Sequence, residues 1–320
     1  MISIDSKIKT ESYKAADRSD SRLVLNITRM TIHNGPGMRT LILFKGCPLH
    51  CCWCSTPESQ KSEPEIGLYP AKCIQCGDCV PVCPVNAIHL VDGKPVIDRS
   101  LCNACGKCAE VCNAKAIEVL GHRMTVAQLI AEVKKDDIIF KYSHGGVTIS
   151  GGEPLFKTDF ALNLLKAFRE EGINTGVDTS GQIPWAALEP MLPYVDFFLW
   201  DIKHMDPEKH KQLTGVSNKL ILSNAIAVSE RKVPLYIRIP IIPGCNDSEE
   251  NIRATCEFVK NKLSSTVEVD IMPLHHLGKA RYESLNLPYP IGNLALIPDE
   301  VMQDIKSLIE SYGLKCVIEG

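Results

Sequence analysis

Thr40-Leu-Ile-Leu-Phe-Lys-Gly-Cys47-Pro-Leu-His-Cys51-Cys52-Trp-Cys54 joins an apolar run to a cysteine loop. The run predicts a buried strand ending at Gly46, and three cysteines follow with C-x3-C-x2-C spacing. Three thiolates on one short loop can bind three irons of a [4Fe-4S] cube and leave the fourth iron open for a substrate. The alternative is a zinc loop, but a structural zinc site needs four ligands. Barrel enzymes also place their active sites on loops that follow parallel strands.

Two similar cysteine units follow, and their period is 29 residues, from Cys73 to Cys102. The first unit has the C-x2-C-x2-C-x3-C-P run of bacterial ferredoxins, in which the fourth cysteine ligates the other cluster. The second unit has Asn113 in place of that proline. We therefore predict a 2x[4Fe-4S] insert over residues 66–120 that depends on its metals for stability. One cluster is assigned to Cys73, Cys76, Cys79 and Cys112, and the other to Cys83, Cys102, Cys105 and Cys108.

The composition limits the remaining choices. The chain has 320 residues, 15 cysteines and a formal net charge of −3, which argues against a nucleic-acid partner. No apolar run reaches the length of a membrane span, and no export signal is recognisable, so we predict a cytoplasmic protein whose cysteines bind metal. Residues 1–23 are polar and charged and are interpreted as a flexible leader. Cys256 and Cys316 lie in apolar patterns and are predicted to be core residues.

After residue 120 the pattern alternates between strands and helices. Repeated βα units predict a parallel sheet, and the count including the cysteine-loop strand is about six, fewer than the eight of a full barrel. The other predicted strands are Gly146–Ser150, Asn174–Asp178, Val195–Trp200, Leu235–Ile242 and Val267–Met272. The predicted helices are Thr125–Lys135, Phe160–Glu171, Trp185–Leu192, Lys219–Arg231, Ser248–Leu263 and Pro298–Tyr312.

Polar residues recur where these strands end, which is where an α/β barrel places its functional groups. A structural interpretation is also open, in which the acids cap helices, the lysine is a solvated charge and the glycines form a turn. A buried arginine in the fifth strand needs an acidic partner. The candidates are Gly151-Gly152-Glu153-Pro154, Asp178-Thr179, Asp201 and Lys203, Arg238, and His275.

The C-x3-C-x2-C loop resembles the signature of the radical S-adenosylmethionine (SAM) superfamily. The longer stretch from Gly35-Pro-Gly-Met-Arg-Thr40 through Trp53-Cys54 to Pro57-Glu58 resembles its glycyl-radical-enzyme activating enzymes, from about Val24 to the chain end. Two departures are Asn34 in place of aspartate, and Ser55-Thr56 before Pro57-Glu58 in place of Asn-Pro-Glu. The resemblance implies a partial (β/α)6 TIM-type barrel over residues 24–65 and 121–320, interrupted by the ferredoxin-like insert.

The resemblance also implies residue roles. Cys47, Cys51 and Cys54 hold the catalytic cluster that binds SAM, and the Gly35–Gly37 turn lies near the SAM site. Gly151, Gly152 and Glu153 hold the SAM amino group through backbone groups. Asp178 and Lys203 contact its polar groups, Arg238 meets its carboxylate or Asp201, and His275 packs on the nucleoside. Asp178, Thr179 and Asp201 line a small monovalent-cation site, and the basic run Gly278–Tyr282 is either a partner contact or a charged loop.

The implied function is anaerobic radical chemistry. An external one-electron donor, such as flavodoxin or ferredoxin, reduces the cluster, and SAM is cleaved to methionine and a 5′-deoxyadenosyl radical. The radical takes hydrogen from a backbone glycine of a partner glycyl radical enzyme. One alternative is another radical SAM enzyme with auxiliary clusters, such as a peptide-modifying maturase. A second is a polyferredoxin-like electron carrier, although a carrier has no use for a three-cysteine cluster.

Overall fold

The computed structural model describes residues 21–319, which form a mixed α/β fold around one large sheet. No helix in this part of the chain combines the length and the apolar character of a membrane span. The strands in chain order are β1 (Ser21–Thr31), β2 (Arg39–Phe44), β3 (Glu65–Leu68), β4 (Ile88–Val91), β5 (Lys94–Ile97), β6 (Ile117–Leu120), β7 (His122–Thr125), β8 (Gly146–Gly151), β9 (Thr175–Thr179), β10 (Phe197–Asp201), β11 (Leu235–Ile241), β12 (Thr266–Pro273) and β13 (Cys316–Ile318).

The main sheet has the strand order β13-β12-β11-β10-β9-β8-β2-β1-β7. The predicted parallel sheet is confirmed, because β2 and β8 to β12 are the six predicted core strands and each pairs with its neighbour in parallel. β13 extends the sheet in parallel, whereas β1 and β7 add two antiparallel strands at the other edge. β1 begins at Ser21, so residues 21–23, assigned to the leader, lie in a strand; the rest of that leader, residues 1–20, lies outside the described residues.

Helices cover the outside of the sheet. Two helices begin at side-chain caps: Thr125 forms a capping box with Gln128, and the Ser248 side chain accepts a hydrogen bond from the Asn251 backbone N–H. The helices are α1 (Lys107–Glu110), α2 (Val126–Val133), α3 (Asp137–Ser143), α4 (Thr158–Glu170), α5 (Trp185–Leu188), α6 (Pro207–Thr214), α7 (Lys219–Glu230), α8 (Glu249–Lys262), α9 (Lys279–Ser284) and α10 (Asp299–Ser311). Short 3-10 turns occupy Pro57–Ser59, Pro70–Lys72, Lys134–Asp136 and Glu189–Tyr194.

The two faces of the parallel strands differ in polarity because successive side chains point to opposite sides. In β8, Val147 and Ile149 belong to the main apolar core, whereas Thr148 and Ser150 take part in polar contacts on the other face. The same alternation in β10 places Phe198 and Trp200 in the core and Asp201 in the polar set. The polar face therefore becomes the inner surface from which a site can be built.

Arg39 and Phe197 close the end of this inner surface at which the parallel strands begin. The Arg39 guanidinium lies 4.7 Å from the Phe197 ring centroid and donates to Thr148 and to the Pro36 carbonyl. The Gly35–Gly37 turn packs here, since a Cβ at Gly35 would overlap the Phe197 ring. The implied position of this turn near the SAM site is therefore wrong: the cysteine loop follows the opposite ends of the strands.

The predicted insert, residues 66–120, is attached through an antiparallel ladder between β3 and β6 and contains the β4–β5 hairpin. The sequence repeat is also a repeat of backbone conformation. Left-handed φ values occur at Gln75, Gly77 and Asn86, and again 29 residues later at Ala104, Gly106 and Lys115. A small apolar cluster that includes Ile66, Ile88, Ile97 and Ile117 packs with the cysteines between the two units.

Gly176 provides a test of how the inner surface is closed. A Cβ at this position would overlap the Phe197 ring, so we expect Gly176→Ala to lower the free energy of unfolding by about 1–3 kcal/mol. In a Phe197→Leu background the same substitution should cost less than about 0.5 kcal/mol, because the overlapping ring is gone. Urea unfolding of the four proteins measures both costs. Equal costs in the two backgrounds would contradict this packing.

Candidate active site

A cavity of about 430 Å³ opens at the edge where the parallel strands end. The sequence-predicted residues converge on it from the cysteine loop and from β8 to β12, as the strand order requires. The predicted residues in its wall are Cys47, Cys51, Cys54, Gly151, Gly152, Asp178, Thr179, Asp201, Lys203, Arg238 and His275. Glu153 and Pro154, which follow the two glycines, are absent from this wall, and the Glu153 side chain is fully buried.

The cysteine loop is held in place by backbone hydrogen bonds to neighbouring segments. The His50 N–H donates to the carbonyl of Thr214 at the end of α6, at 2.7 Å. The Cys47 N–H donates to the Gln60 carbonyl at 3.0 Å, and the Leu49 N–H donates to the Cys47 sulfur at 3.4 Å. These bonds fix the loop conformation, and the bond to the Cys47 sulfur also orients one of the three thiols that line the cavity.

A second brace for this loop was not anticipated from the sequence. The run Gly278–Tyr282 belongs mainly to α9, and Tyr282 is buried. Arg281 forms an ion pair with Glu58 directly after the cysteine loop. A Cβ at Gly278 would lie 3.1 Å from the Ser55 Cα, so only a residue as small as glycine lets α9 approach this closely. The basic run is therefore part of the support of the site.

The three thiols of the loop line one cavity and are the donor type that an iron–sulfur cluster uses. Burial raises the pKa of Cys51 to about 12 and also raises the pKa of Cys47 and Cys54, so bound metal is what would keep all three as thiolates. Within residues 21–319, no three His, Cys, Asp or Glu side chains converge as a single ion requires. In a four-iron cube each cysteine binds a different iron, and its thiolates stand farther apart than the ligands of one zinc ion.

Glu153 braces the strand ends with its side chain. Its carboxylate accepts hydrogen bonds from the Thr179 hydroxyl at 2.6 Å, from the Ser180 N–H at 3.0 Å and hydroxyl at 2.7 Å, and from the Leu155 N–H at 3.2 Å. Burial raises the pKa of this carboxyl, and these hydrogen bonds oppose the rise. Sequence reasoning identified the motif but not this orientation, which places only the two preceding glycines at the cavity.

The polar wall of the cavity carries charges that are already paired. Lys203 Nζ lies 2.7 Å from Asp201, and Arg238 lies 3.4 Å from Asp178 and 3.0 Å from Glu319. Asp201, one of the two partners expected for Arg238, pairs with Lys203 instead. Burial acts to lower the pKa of Lys203, but Asp201 and the Cys51 thiol outweigh it and raise that pKa. For Asp178, burial raises the pKa and Arg238 opposes the rise.

Glu319 and Asp270 extend this charged group beyond the predicted residues. Asp270 lies opposite Arg238 in the register of β11 and β12 and is 3% exposed. Burial, followed by Glu319 and Glu268, raises the pKa of Asp270 from 3.8 to about 7. Glu319 comes directly after β13, and its contact with Arg238 spans 81 residues of sequence. A residue that follows the last strand gives no local signal of such a contact.

The auxiliary cysteines surround two further cavities in the predicted insert. Cys83 meets Cys102, Cys105 and Cys108 at one of them, whereas Cys112 meets Cys73, Cys76 and Cys79 at the other. The structure thus brings together the two crossed sets expected from the ferredoxin run. The backbone N–H groups of Ala87 and Ala116 donate to the sulfurs of Cys83 and Cys112, at 3.2 and 3.3 Å. These bonds fix the orientation of the two sulfurs that cross between the sets.

The remaining cysteines and the second histidine lie outside these groups. Cys256 and Cys316 are buried in the main core, as predicted. The Cys52 and Cys245 side chains are hydrogen-bonded to each other, and burial raises the pKa of both. The His276 ring bonds to the Tyr289 hydroxyl at 3.1 Å and to the Leu294 carbonyl at 2.9 Å, which is a structural role. His275 is the histidine that faces the cavity.

Comparison with known proteins agrees with this geometry. Residues 41–256 match the family model described as the radical SAM superfamily. The chain is 39% identical to the (2S)-3-sulfopropanediol dehydratase activating enzyme of Klebsiella oxytoca, over 94% of this chain and 98% of that protein. It is 37% identical to the choline trimethylamine-lyase activating enzyme of Oleidesulfovibrio alaskensis, over 91% and 95%. A radical SAM methyltransferase from Sphaerobacter thermophilus shares the fold, with a TM-score of 0.50 and 14% identity over 95% of this chain and 74% of the other.

The buried Glu153 carboxylate generates a stability prediction. In Glu153→Gln the new NH2 group faces one of two pairs of donors, and each pair includes a backbone N–H that cannot turn away. We expect a loss of about 1–3 kcal/mol in the free energy of unfolding, measured with urea. Glu171→Gln, at an exposed ion pair with Lys134, is the matched control and should change stability little. An unchanged stability of Glu153→Gln would show that this brace is unimportant.

The raised pKa of Asp270 predicts a pH dependence. The folded state retains a proton that the unfolded state releases above a pH of about 4, so this group lowers the stability of the fold progressively as pH rises from about 4 to about 7, and by a constant amount above about 7. We expect Asp270→Asn to be more stable than the parent by about 1–2 kcal/mol at pH of about 8, and to gain much less at about 5.5. The exposed Asp304→Asn is the control, and urea unfolding at both pH values measures the difference. A gain that does not depend on pH would refute this assignment.

Proposed function

This chain belongs to the radical SAM superfamily and its closely similar relatives are glycyl-radical-enzyme activating enzymes, and from this premise we propose the residues, cofactors and partners through which it acts. Such an enzyme cleaves SAM to methionine and a 5′-deoxyadenosyl radical. The observation that carries the proposal is the convergence of the three-cysteine loop, Gly151-Gly152 and the charged ends of β9 to β11 on one cavity. Its volume of about 430 Å³ is in the range of sites for ligands of this size.

Each group in the wall has a task in this proposal. When bound at Cys47, Cys51 and Cys54, a [4Fe-4S] cluster supplies the electron for cleavage and an open iron for the amino acid part of SAM. Gly151 and Gly152 present backbone groups to the ligand's amino group, and glycine is needed at both positions because a Cβ would overlap the backbone of Phe44 or Gly46.

The charged residues complement the ligand. Lys203 and Arg238 provide the cations for a carboxylate, while Asp178 and Asp201 face a sulfonium and, with Thr179, line a monovalent-cation site. His275 packs on the nucleoside. Because these charges are already paired and oriented by protein neighbours, little reorganisation is needed when the ligand binds.

The finer architecture is part of the same proposal. The six parallel core strands form a partial (β/α)6 barrel, and residues 66–120 form a ferredoxin-like insert with two auxiliary [4Fe-4S] clusters. Cys112 joins the first three cysteines, and Cys83 joins the last three; the grouping of these residues around two cavities supports this assignment. When held by these cysteines, the two clusters would provide a path for electrons from an external one-electron donor, such as flavodoxin or ferredoxin, towards the cysteine loop.

The macromolecular substrate in this proposal is a glycyl radical enzyme, whose backbone glycine gives up a hydrogen atom. That glycine has to reach the cavity, so a loop of the partner must enter it. The relatives activate different partners, a sulfopropanediol dehydratase and a choline lyase, with identities of 39% and 37%. Their shared role supports the activase interpretation over a peptide-modifying maturase. A pure electron carrier would have no use for the cavity.

Cys51 tests the division between the catalytic and auxiliary clusters. We expect Cys51→Ala to abolish SAM cleavage and to bind about eight irons, against about twelve in the parent protein. Anaerobic reconstitution, iron analysis and the yield of 5′-deoxyadenosine measure both effects. The adjacent Cys52→Ala is the matched control, because Cys52 contacts Cys245 instead of the cavity, and it should retain all the iron and the activity. SAM cleavage by Cys51→Ala would overturn the proposed cluster.

A further inference from the structure

A second cavity, of about 420 Å³, lies between the insert and helix α9. Its wall is largely apolar and includes Leu68, Pro95 and Ile97, and the predicted cluster ligand Cys73 forms part of it. Nothing in the proposed radical chemistry uses this space. A largely apolar cavity with a few polar groups is the usual form of a binding site.

The charged groups of this cavity favour an anionic binding partner. Two cationic side chains, Lys94 and Arg99, line the cavity together with one acidic side chain, Glu283. Two nitrogens of Arg99 donate to the carbonyls of Ile66 and Ser284, the latter at 2.9 Å, whereas its buried Nε has no hydrogen-bond partner among residues 21–319. The Arg99 side chain is half-buried, and its guanidinium together with the Lys94 ammonium makes the cavity more favourable for an anionic group than for a cationic one.

The rim of the cavity has the composition of a protein interface. The turn of the β4–β5 hairpin touches the first cysteine loop, because a Cβ at Gly93 would lie 3.7 Å from the Gln75 side chain. Each of these neighbouring segments carries an exposed apolar side chain, Ile74 in the first cysteine loop (67% exposed) and Val91 beside the hairpin turn (49% exposed). Exposed apolar groups beside cationic ones are typical of a surface that binds a protein of opposite charge.

The two cysteine sets differ in how accessible they are at this surface. Cys76 is exposed and Cys73 lines the cavity, and both belong to the first set. None of Cys83, Cys102, Cys105 and Cys108 is exposed. A carrier docked on the rim would therefore approach the first set before the second.

We propose that this cavity and its rim are the docking site of an acidic one-electron carrier protein, and that the cluster held by Cys73, Cys76, Cys79 and Cys112 receives the electron first. The inference rests on the proposed function, in which this set holds a cluster. One electron passes from the reduced carrier, which is oxidised, to the cluster, which is reduced; no bond forms or breaks. The Lys94 and Arg99 charges orient the carrier, and the apolar rim excludes water from the contact.

Lys94→Glu tests the docking site in the intact protein with all its clusters. Lys94 is exposed, so the substitution should leave the fold and the iron content unchanged. With reduced flavodoxin as the donor at an ionic strength of about 0.01 M, we expect cluster reduction about fivefold slower or more. Added salt should slow cluster reduction in the parent protein and reduce the difference in rate between the parent and Lys94→Glu. Lys107→Glu, an equal change of charge beside the second cysteine set, is the matched control and should be reduced at the parent rate.

Dithionite separates a failure of docking from a failure of the proposed function. As a small chemical donor it does not need the docking surface, so Lys94→Glu should form 5′-deoxyadenosine at the parent rate when dithionite is used. Reduction of Lys94→Glu by flavodoxin at the parent rate would overturn the docking site, as would an equal loss in Lys107→Glu. If the parent protein itself cleaves no SAM with either donor, the proposed function fails instead.

Discussion

The buried carboxylate of Glu153 is the contact on which the arrangement of the site depends. It accepts hydrogen bonds from Thr179 and Ser180 at the end of β9. Its backbone N–H donates to the Gly46 carbonyl where the cysteine loop begins, and its carbonyl accepts from Arg22 of β1. A buried carboxylate is costly unless donors surround it, so these contacts allow few alternatives. One residue thereby fixes four segments relative to one another, and the two glycines before it are placed at the cavity as a result.

The arrangement of the charged wall also follows from the free-energy cost of burying a charge. A single buried charge would shift its pKa and become neutral, but Lys203 lies 2.7 Å from Asp201, which favours the charged form of the lysine. The charge of Arg238 is compensated in the same way, because the guanidinium lies between two acids, Asp178 and Glu319. The wall is therefore polarised before any ligand arrives. A zwitterion with an added sulfonium meets oriented charges of both signs, which is how a protein site can bind it more selectively than water does.

The parts of this molecule that follow from local pattern were readable in the sequence. Apolar runs that end in a polar residue identified the six parallel strands, because burial on one side and a site at the end impose that pattern. The cysteine spacing identified both crossed sets. The contacts of Glu319 and the position of Gly35 could not be predicted, since each depends on a residue far along the chain: Arg238 for the first and Phe197 for the second. Helix α9 was missed because its basic run lacks apolar periodicity, and its support comes from Glu58 and the backbone of the cysteine loop.

The insert is joined to the cysteine loop by more than its two chain connections. Lys45, directly before that loop, pairs with Glu65 at the start of β3 at 3.1 Å. Arg99 of the insert bonds to the end of α9, and α9 in turn holds the cysteine loop through Arg281. These links make a closed path of contacts through the insert, α9 and the loop. In the proposed electron relay the transfer rate depends on the separation between the redox centres, and a closed path resists hinge motion better than a flexible linker would. An insertion after the first core strand, tied at both ends and at α9, provides that constancy.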